Sequence, residues 1–192
     1  EPDTIKRIAS ECGAGDLIHA GTYFGDFLPA LSKACSESAK VWAFEPNPIN
    51  FRCAHITSLI NGLENVEMRN AGLGARPEVM PLSVRSKSGE SIGGLSSFLM
   101  SDDTTLDQTV AAKVLTIDGV VSEDRDVSVI QLDVEGFEEQ ALRGGIRTIQ
   151  RCRPTLVLER VPEGQWMSDN ILGIGYERVA SVHANSVLKV AS

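Results

Sequence analysis

Residues 41–51 read VWAFEPNPINF, and the end of the run needs more explanation than its beginning. Val41 to Phe44 is short, apolar and rich in branched and aromatic side chains, as expected of a strand buried on both faces. It closes on a lone acid, Glu45, and is stopped at once by Pro46-Asn47-Pro48. A carboxylate at the end of a buried strand is costly unless something there requires it. Asn47 is placed to cap a helix whose first position is Pro48, where a missing N–H costs nothing. That helix should run to about Asn61, with Gly62 as its left-handed stop.

The same alternation extends outward on both sides. Upstream, Leu17 to Ala20 is a short buried strand ending at Gly21, and Phe27, Leu28, Leu31 and Ala34 lie at helical spacing within residues 26–34. Downstream, Val66 to Leu73 reads as a third strand. Val127 to Leu132 is the most apolar strand and is closed by Asp133. A helix opens over Phe137 to Leu142 and pauses at Gly144-Gly145. Thr155 to Leu158 is again closed by an acid, Glu159. Tyr176 to Ser181 and Ser186 to Val190 form an antiparallel hairpin turned through His183-Ala184-Asn185. Between Ala75 and Val121 the rhythm breaks. Residues 86–97, SKSGESIGGLSS, hold three glycines and few core formers, so a mobile loop is expected there, either a lid over the ligand edge or a plain surface excursion.

Strands alternating with helices imply one α/β domain over residues 1–192, a mostly parallel sheet with helices on both faces. Ligands of such sheets bind beyond the carboxyl ends of the strands. Glu45, Asp133 and Glu159 all fall at such ends, which makes a ligand site the better reading of three otherwise unremarkable acids.

Composition narrows the partners. With 192 residues, 42% hydrophobic and 23% charged, the chain can bury a sizeable core and is not disordered. A net charge of −8 argues against a binder of nucleic-acid backbones. No apolar stretch approaches the roughly 20 residues of a membrane span, and no secretory signal opens the sequence at Glu1. Cys12, Cys35, Cys53 and Cys152 form no C-x-x-C or zinc spacing, and they read as small structural residues in a reducing, cytoplasmic setting. Trp42 reads as core, Trp166 as packing or an acceptor-pocket wall, and His55 and His183 as surface residues.

The first strand turns through Gly21-Thr22-Tyr23-Phe24-Gly25. Glycines there let backbone approach a ligand, but the G-x-G-x-x-G pyrophosphate fingerprint is absent. Glu45 follows roughly 20 residues later, the place from which an acid accepts from both hydroxyls of a ribose. On spacing alone this points to an adenosine-type ligand and leaves NAD and S-adenosylmethionine both open.

Two longer strings carry a resemblance. VWAFEPNPINF with NGLENVEMRNAGLG (residues 61–74), and IQLDVEGFEEQALRGGIRTIQRCRPTLVLE (residues 130–159), resemble the FkbM family of S-adenosylmethionine-dependent methyltransferases. The resemblance implies a Rossmann-like class I methyltransferase fold with seven strands, the last one antiparallel. It implies that Gly21, Thr22, Tyr23 and Gly25 border the methionine part of the cofactor, that Glu45 with Pro46 and Asn47 holds the ribose, and that Asn70 and Ala71 border the adenine. Asp133 and Glu135 would lie near the reacting methyl as candidate bases, with Glu135 as a helix cap the plainer alternative. Asp133 and Glu159 resemble a magnesium pair, although Glu159 could instead pair with Arg153 or Arg160. The implied acceptor is a hydroxyl of a sugar, glycan or small metabolite. One departure stands out: the family's first strand usually ends Asp-x-Gly-Ala, and here it reads His19-Ala20-Gly21-Thr22. The missing acid would help hold the cofactor's ammonium group. Its loss leaves three options: carbonyls and another acid hold the ammonium, cofactor affinity is reduced, or His19 serves as a general base, with a packed or cofactor-contacting histidine the plainer reading of that residue. The same loss keeps a catalytically impaired binding module as the alternative function.

Overall fold

The computed structural model describes residues 2–84, 96–98 and 109–191. In chain order the strands are β1 (Asp16–Ala20), β2 (Val41–Phe44), β3 (Val66–Arg69), β4 (Gly72–Leu73), β5 (Glu78–Ser83), β6 (Ser97–Phe98), β7 (Thr109–Leu115), β8 (Val127–Leu132), β9 (Thr155–Leu158), β10 (Tyr176–Val182) and β11 (Asn185–Val190). The helices are α1 (Pro2–Glu11), α2 (Leu28–Ala34), α3 (Pro48–Ile60), α4 (Ile117–Val120), α5 (Glu138–Arg143), α6 (Ile146–Cys152) and α7 (Gln165–Asn170).

The main sheet has seven strands in the order β10-β11-β9-β8-β1-β2-β3. β1 pairs in parallel with both β2 and β8, so the strand order reverses around it, while β11 runs antiparallel to β9 and β10. The expected C-terminal hairpin is therefore present, and His183 sits in its turn with φ 51°. Residues on alternate sides of the strands build two cores. Ile18, Phe44, Ile130, Leu132 and Leu158 pack with Ala141, Leu142 and Ile149 from α5 and α6; Leu17, Val41, Val129 and Val157 pack with Ile8, Leu28, Leu31 and Ala54 from α1, α2 and α3. Helices thus cover both faces, which is why β1, β2, β8 and β9 are mostly apolar, with Asp16 and His19 in β1 and Gln131 in β8 the buried polar exceptions. Among the described residues, no helix is long and apolar enough to cross a membrane.

The end of the sheet opposite the ligand edge is pinned by Asp16. Its carboxylate, 1% exposed, accepts from Arg125 Nε and Nη2 at 2.6 Å each, from Trp42 Nε1 at 2.7 Å and from the Lys40 N–H at 2.8 Å. Trp42 is core, as expected, with Lys40 and Arg69 over its ring. Asn47 caps α3 by accepting from the Ile49 N–H at 3.0 Å, and Gly62 follows the helix with φ 61°.

The third strand departs from the expectation. Val66 to Leu73 is two strands: β3 closes the main sheet, while β4 joins a second sheet of order β4-β7-β5-β6. The break has a physical cause. Asn70 Nδ2 turns back to the carbonyls of Glu45 and Pro46, at 2.8 and 3.3 Å, and bends the chain at Asn70-Ala71. The loop expected over residues 86–97 lies outside the described residues apart from Ser96 and Ser97.

Candidate cofactor cleft

Backbone hydrogen bonds extend the parallel ladder one residue past the strands. Gly21 N–H donates to Phe44 C=O, Glu45 N–H to Arg69 C=O, Asp133 N–H to Ala20 C=O and Glu159 N–H to Leu132 C=O. These bonds set Gly21, Glu45, Asp133 and Glu159 side by side on one edge, at the point where the strand order reverses. The open cleft above them has two compartments that meet at Gly21, Glu45 and Asp133.

The first compartment is narrow and apolar and is lined by Ala20, Phe44, Pro46, Leu73, Phe98 and Val134. Phe98 lies against the backbone of Gly72, where a Cβ would meet its ring at 2.4 Å, and packs on Phe137 at a centroid distance of 5.1 Å. A flat heteroaromatic ring suits this slot. Gly72 and Leu73 line it, whereas Asn70 and Ala71, which precede them in the chain, are not among its lining residues.

The second compartment, about 880 Å³, is polar. Asp26, Glu45, Asp133, Glu135 and Glu159 contribute carboxylates to its walls, and among the described residues no Lys or Arg lines it. Such a cavity favours cationic groups.

Glu45 sits at the junction, 4% exposed. Its Oε2 accepts from the Tyr23 N–H at 2.8 Å and its Oε1 from the Asn47 N–H at 2.9 Å. Burial pushes its carboxyl up from the ordinary 4.5 to about 7, against the opposing pull of these donors and of Asn50. A carboxylate has about four acceptor sites, so two backbone donors hold it in place and leave capacity for a diol. Tyr23 is carried in the left-handed region, φ 53°, to deliver its N–H. Gly21 is compelled twice over: its φ is 85°, and a Cβ there would lie 1.9 Å from the Asp133 carbonyl oxygen. Thr22 lines the polar compartment while its hydroxyl donates to Phe44 C=O at 3.1 Å, and Gly25 packs against Ala54 of α3.

On the opposite wall, Glu135 also adopts a left-handed backbone, φ 52°, followed by Gly136 at 91°. It does not cap α5, whose first turn has no side-chain cap. Its Oε2 instead accepts from Arg160 Nη2 at 3.2 Å. Burial and the neighbouring charge of Glu159 raise its pKa, while Arg160 opposes the rise. Glu138, a residue to which the sequence reading gave no role, folds its buried Oε1 back toward the N–H groups of Val134 and Gly136, both at 3.4 Å, and shapes this loop. Asp133, Glu135 and Glu159 each offer an oxygen within 4.8 Å of the others, a set that suits a hard divalent cation. Glu159 pairs weakly with Arg160, at 3.9 Å, and not with Arg153, which donates to the carbonyls of Gln150 and Ile174. Trp166 is a packing residue: it lies on the core under the Arg143 guanidinium, 4.5 Å from the ring centroid.

His19 is 2% exposed, on the polar side of β1. Its Nδ1 is bonded to Gln131 Oε1, and its ring stacks on Phe27 at 5.8 Å and 12°. Burial lowers its pKa to about 4, so the ring is neutral. Of the two nearby acids, Asp16 is at the far end of the strand and fully engaged, while Asp26 lines the polar compartment with His19.

A sheet of this order, with an acid at the second strand's end beneath a two-part cleft, is the class I methyltransferase architecture. The chain matches the model of the methyltransferase FkbM domain over residues 11–174 and belongs to that family. Among solved structures it is similar to the FkbM methyltransferase of Methylobacillus flagellatus KT, with 17% identity and a TM-score of 0.57, covering 98% of this chain and 50% of that one. It is also similar to a SAM-dependent methyltransferase from Aquifex aeolicus, with 15% identity and a TM-score of 0.53, covering 100% and 90%. An RNA methyltransferase from Salinibacter ruber, in complex with S-adenosyl-L-homocysteine, gives 12%, 0.50, 98% and 87%. The chain spans half the length of the Methylobacillus protein. No curated protein sequence shows significant similarity to it.

Proposed function

We propose that the protein is an S-adenosylmethionine-dependent O-methyltransferase whose acceptor is a hydroxyl of a sugar, glycan or other small metabolite. The observation that carries this reading is Glu45, a buried carboxylate held by two backbone donors where an apolar slot meets an acid-walled one. The cleft fits the cofactor part by part: the slot at Phe98 and Leu73 takes the adenine, Glu45 accepts from the ribose hydroxyls, and the acidic compartment takes the charged methionine end. Bound S-adenosylmethionine supplies a methyl group made electrophilic by its sulfonium.

The remaining work falls to the protein. Transfer needs the acceptor held in line with the methyl, so positioning dominates. Asp133, common to both compartments, would lie beside the sulfonium of a bound cofactor and offset its positive charge. Glu135, which lines the polar compartment only and has its pKa raised, takes the proton of the acceptor hydroxyl. Arg160 holds its carboxylate at 3.2 Å and lies 3.9 Å from Glu159, so two of the three acids already have a positive partner. The acid-lined compartment and the net charge of −8 disfavour a polyphosphate acceptor such as RNA.

The test is incubation with methyl-labelled cofactor and a panel of glycans and small hydroxylated metabolites, read by mass shift, with Glu135→Gln alongside. A methylated hydroxyl product whose formation falls roughly 10²- to 10⁴-fold in the variant, at unchanged cofactor affinity, is expected. Binding of S-adenosylhomocysteine with no turnover on any acceptor would favour the impaired binding module.

A further inference from the structure

His19 stands where the resemblance calls for an acid, and its hydrogen bonds suggest how the loss is made good. The ring is wedged between two fixed neighbours: Phe27 stacks on its face, and Gln131, 112 residues away on β8, receives Nδ1–H through its side-chain carbonyl. A neutral imidazole that donates from Nδ1 must present a bare lone pair at Nε2. That nitrogen is buried and has no hydrogen-bond partner among the described residues, and the residue lines the polar compartment beside Asp26. An unsatisfied acceptor in that position is costly to keep unless a ligand completes it.

We propose that His19 Nε2 accepts a hydrogen bond from the α-ammonium group of the cofactor's methionine end, with Gln131 fixing the tautomer that makes this possible and Asp26 supplying the negative charge that the histidine lacks. The inference rests on the cofactor reading above. The chemistry of the compartment selects the ammonium over the neighbouring carboxylate: among the described residues its walls carry five acidic side chains and, besides the neutral His19, no basic one, and a lone pair cannot receive an anion. Burial keeps the ring neutral to about pH 4, so the acceptor persists throughout the neutral range. On this reading His19 is a cofactor-binding residue and not the general base, because its one free nitrogen is taken up by the ammonium.

The test compares S-adenosylhomocysteine, which keeps the amino group, with its deamino analogue, by calorimetry on the wild type and on His19→Phe. Phenylalanine preserves the stack on Phe27 and removes the acceptor. The wild type should prefer the amino-bearing ligand roughly ten- to hundredfold, the range of a hydrogen bond to a charged group, and His19→Phe should lose most of that preference. A purely structural role for His19 would weaken both ligands equally and leave the ratio intact, which overturns the proposal. Nitrogen NMR of the wild-type histidine provides a readout that does not depend on the variant folding. Nε2 should be unprotonated, and its resonance should shift with S-adenosylhomocysteine but not with the deamino analogue; a protonated Nε2 overturns the assignment. If the wild type binds neither ligand, the cofactor reading itself fails.

Discussion

Replacing Glu45 with Gln tests how this carboxylate is held, through the pH dependence of stability. Burial raises its pKa from the ordinary 4.5 to about 7. Between those values the folded protein holds a proton that the unfolded chain has released, so stability falls as pH rises and levels off above about 7. At about 1.36 kcal/mol per pH unit, the loss across that window is about 3 kcal/mol. Gln cannot ionise, so the variant lacks this decline. It carries a different, pH-independent defect: one of the Tyr23 and Asn47 N–H donors now faces an NH₂ group, costing about 1–3 kcal/mol. Glu45→Gln should therefore be the less stable protein near pH 4.5 and should draw level with, or pass, the wild type by pH 8. Urea unfolding followed by fluorescence of the two tryptophans at several pH values measures both curves. Subtracting them removes the contributions of Glu135, Glu138 and the other carboxylates common to both. A difference that stays constant from pH 4.5 to 8 would refute the claim that Glu45 is buried at a cost in its charged form.

Three further outcomes follow from the same geometry. Asp16→Ala strands the Arg125 guanidinium, the Trp42 indole N–H and the Lys40 N–H, so unfolding free energy should drop by about 3–5 kcal/mol while S-adenosylhomocysteine affinity, measured by calorimetry, stays put. Phe98→Ala opens the apolar slot and should weaken S-adenosylhomocysteine binding by about 1–3 kcal/mol with little change in the urea midpoint, since Phe98 is only partly buried. Because Arg160 already partners Glu135 and lies near Glu159, a chelator should leave turnover unchanged, and restored activity on adding magnesium to a chelated enzyme would count against the arginine's role.

Much of the architecture is legible in local sequence because local rules produce it. Strands buried on both faces are mostly apolar, so β1, β2, β8 and β9 are visible as short hydrophobic runs, and the cap at Asn47 with Pro48 behind it marks the start of α3 to the residue. The acids at the strand ends are equally plain, because a carboxylate interrupting such a run has no packing reason to be there. What escapes the sequence is made at long range. The bend that parts β3 from β4 comes from an Asn70 side chain reaching carbonyls 24 and 25 residues earlier. The state of His19 is set by Gln131 across the sheet, and nothing in either residue's neighbourhood signals the other. Glu138 belongs to the DVEGFE string, yet its inward turn toward Val134 and Gly136 depends on the left-handed backbone at Glu135 and Gly136, which only the folded loop displays. α1 had a readable signal: Ile5, Ile8, Ala9 and Cys12 recur at helical spacing, in a segment too polar to stand out.

The most direct test of the central claim sets S-adenosylhomocysteine against its 2′,3′-dideoxyribose analogue, by calorimetry on the wild type and on Glu45→Ala. If the Glu45 carboxylate grips the diol, removing the hydroxyls should weaken binding to the wild type by about 1–3 kcal/mol and should change binding to the variant far less. An equal loss in both proteins would contradict the account.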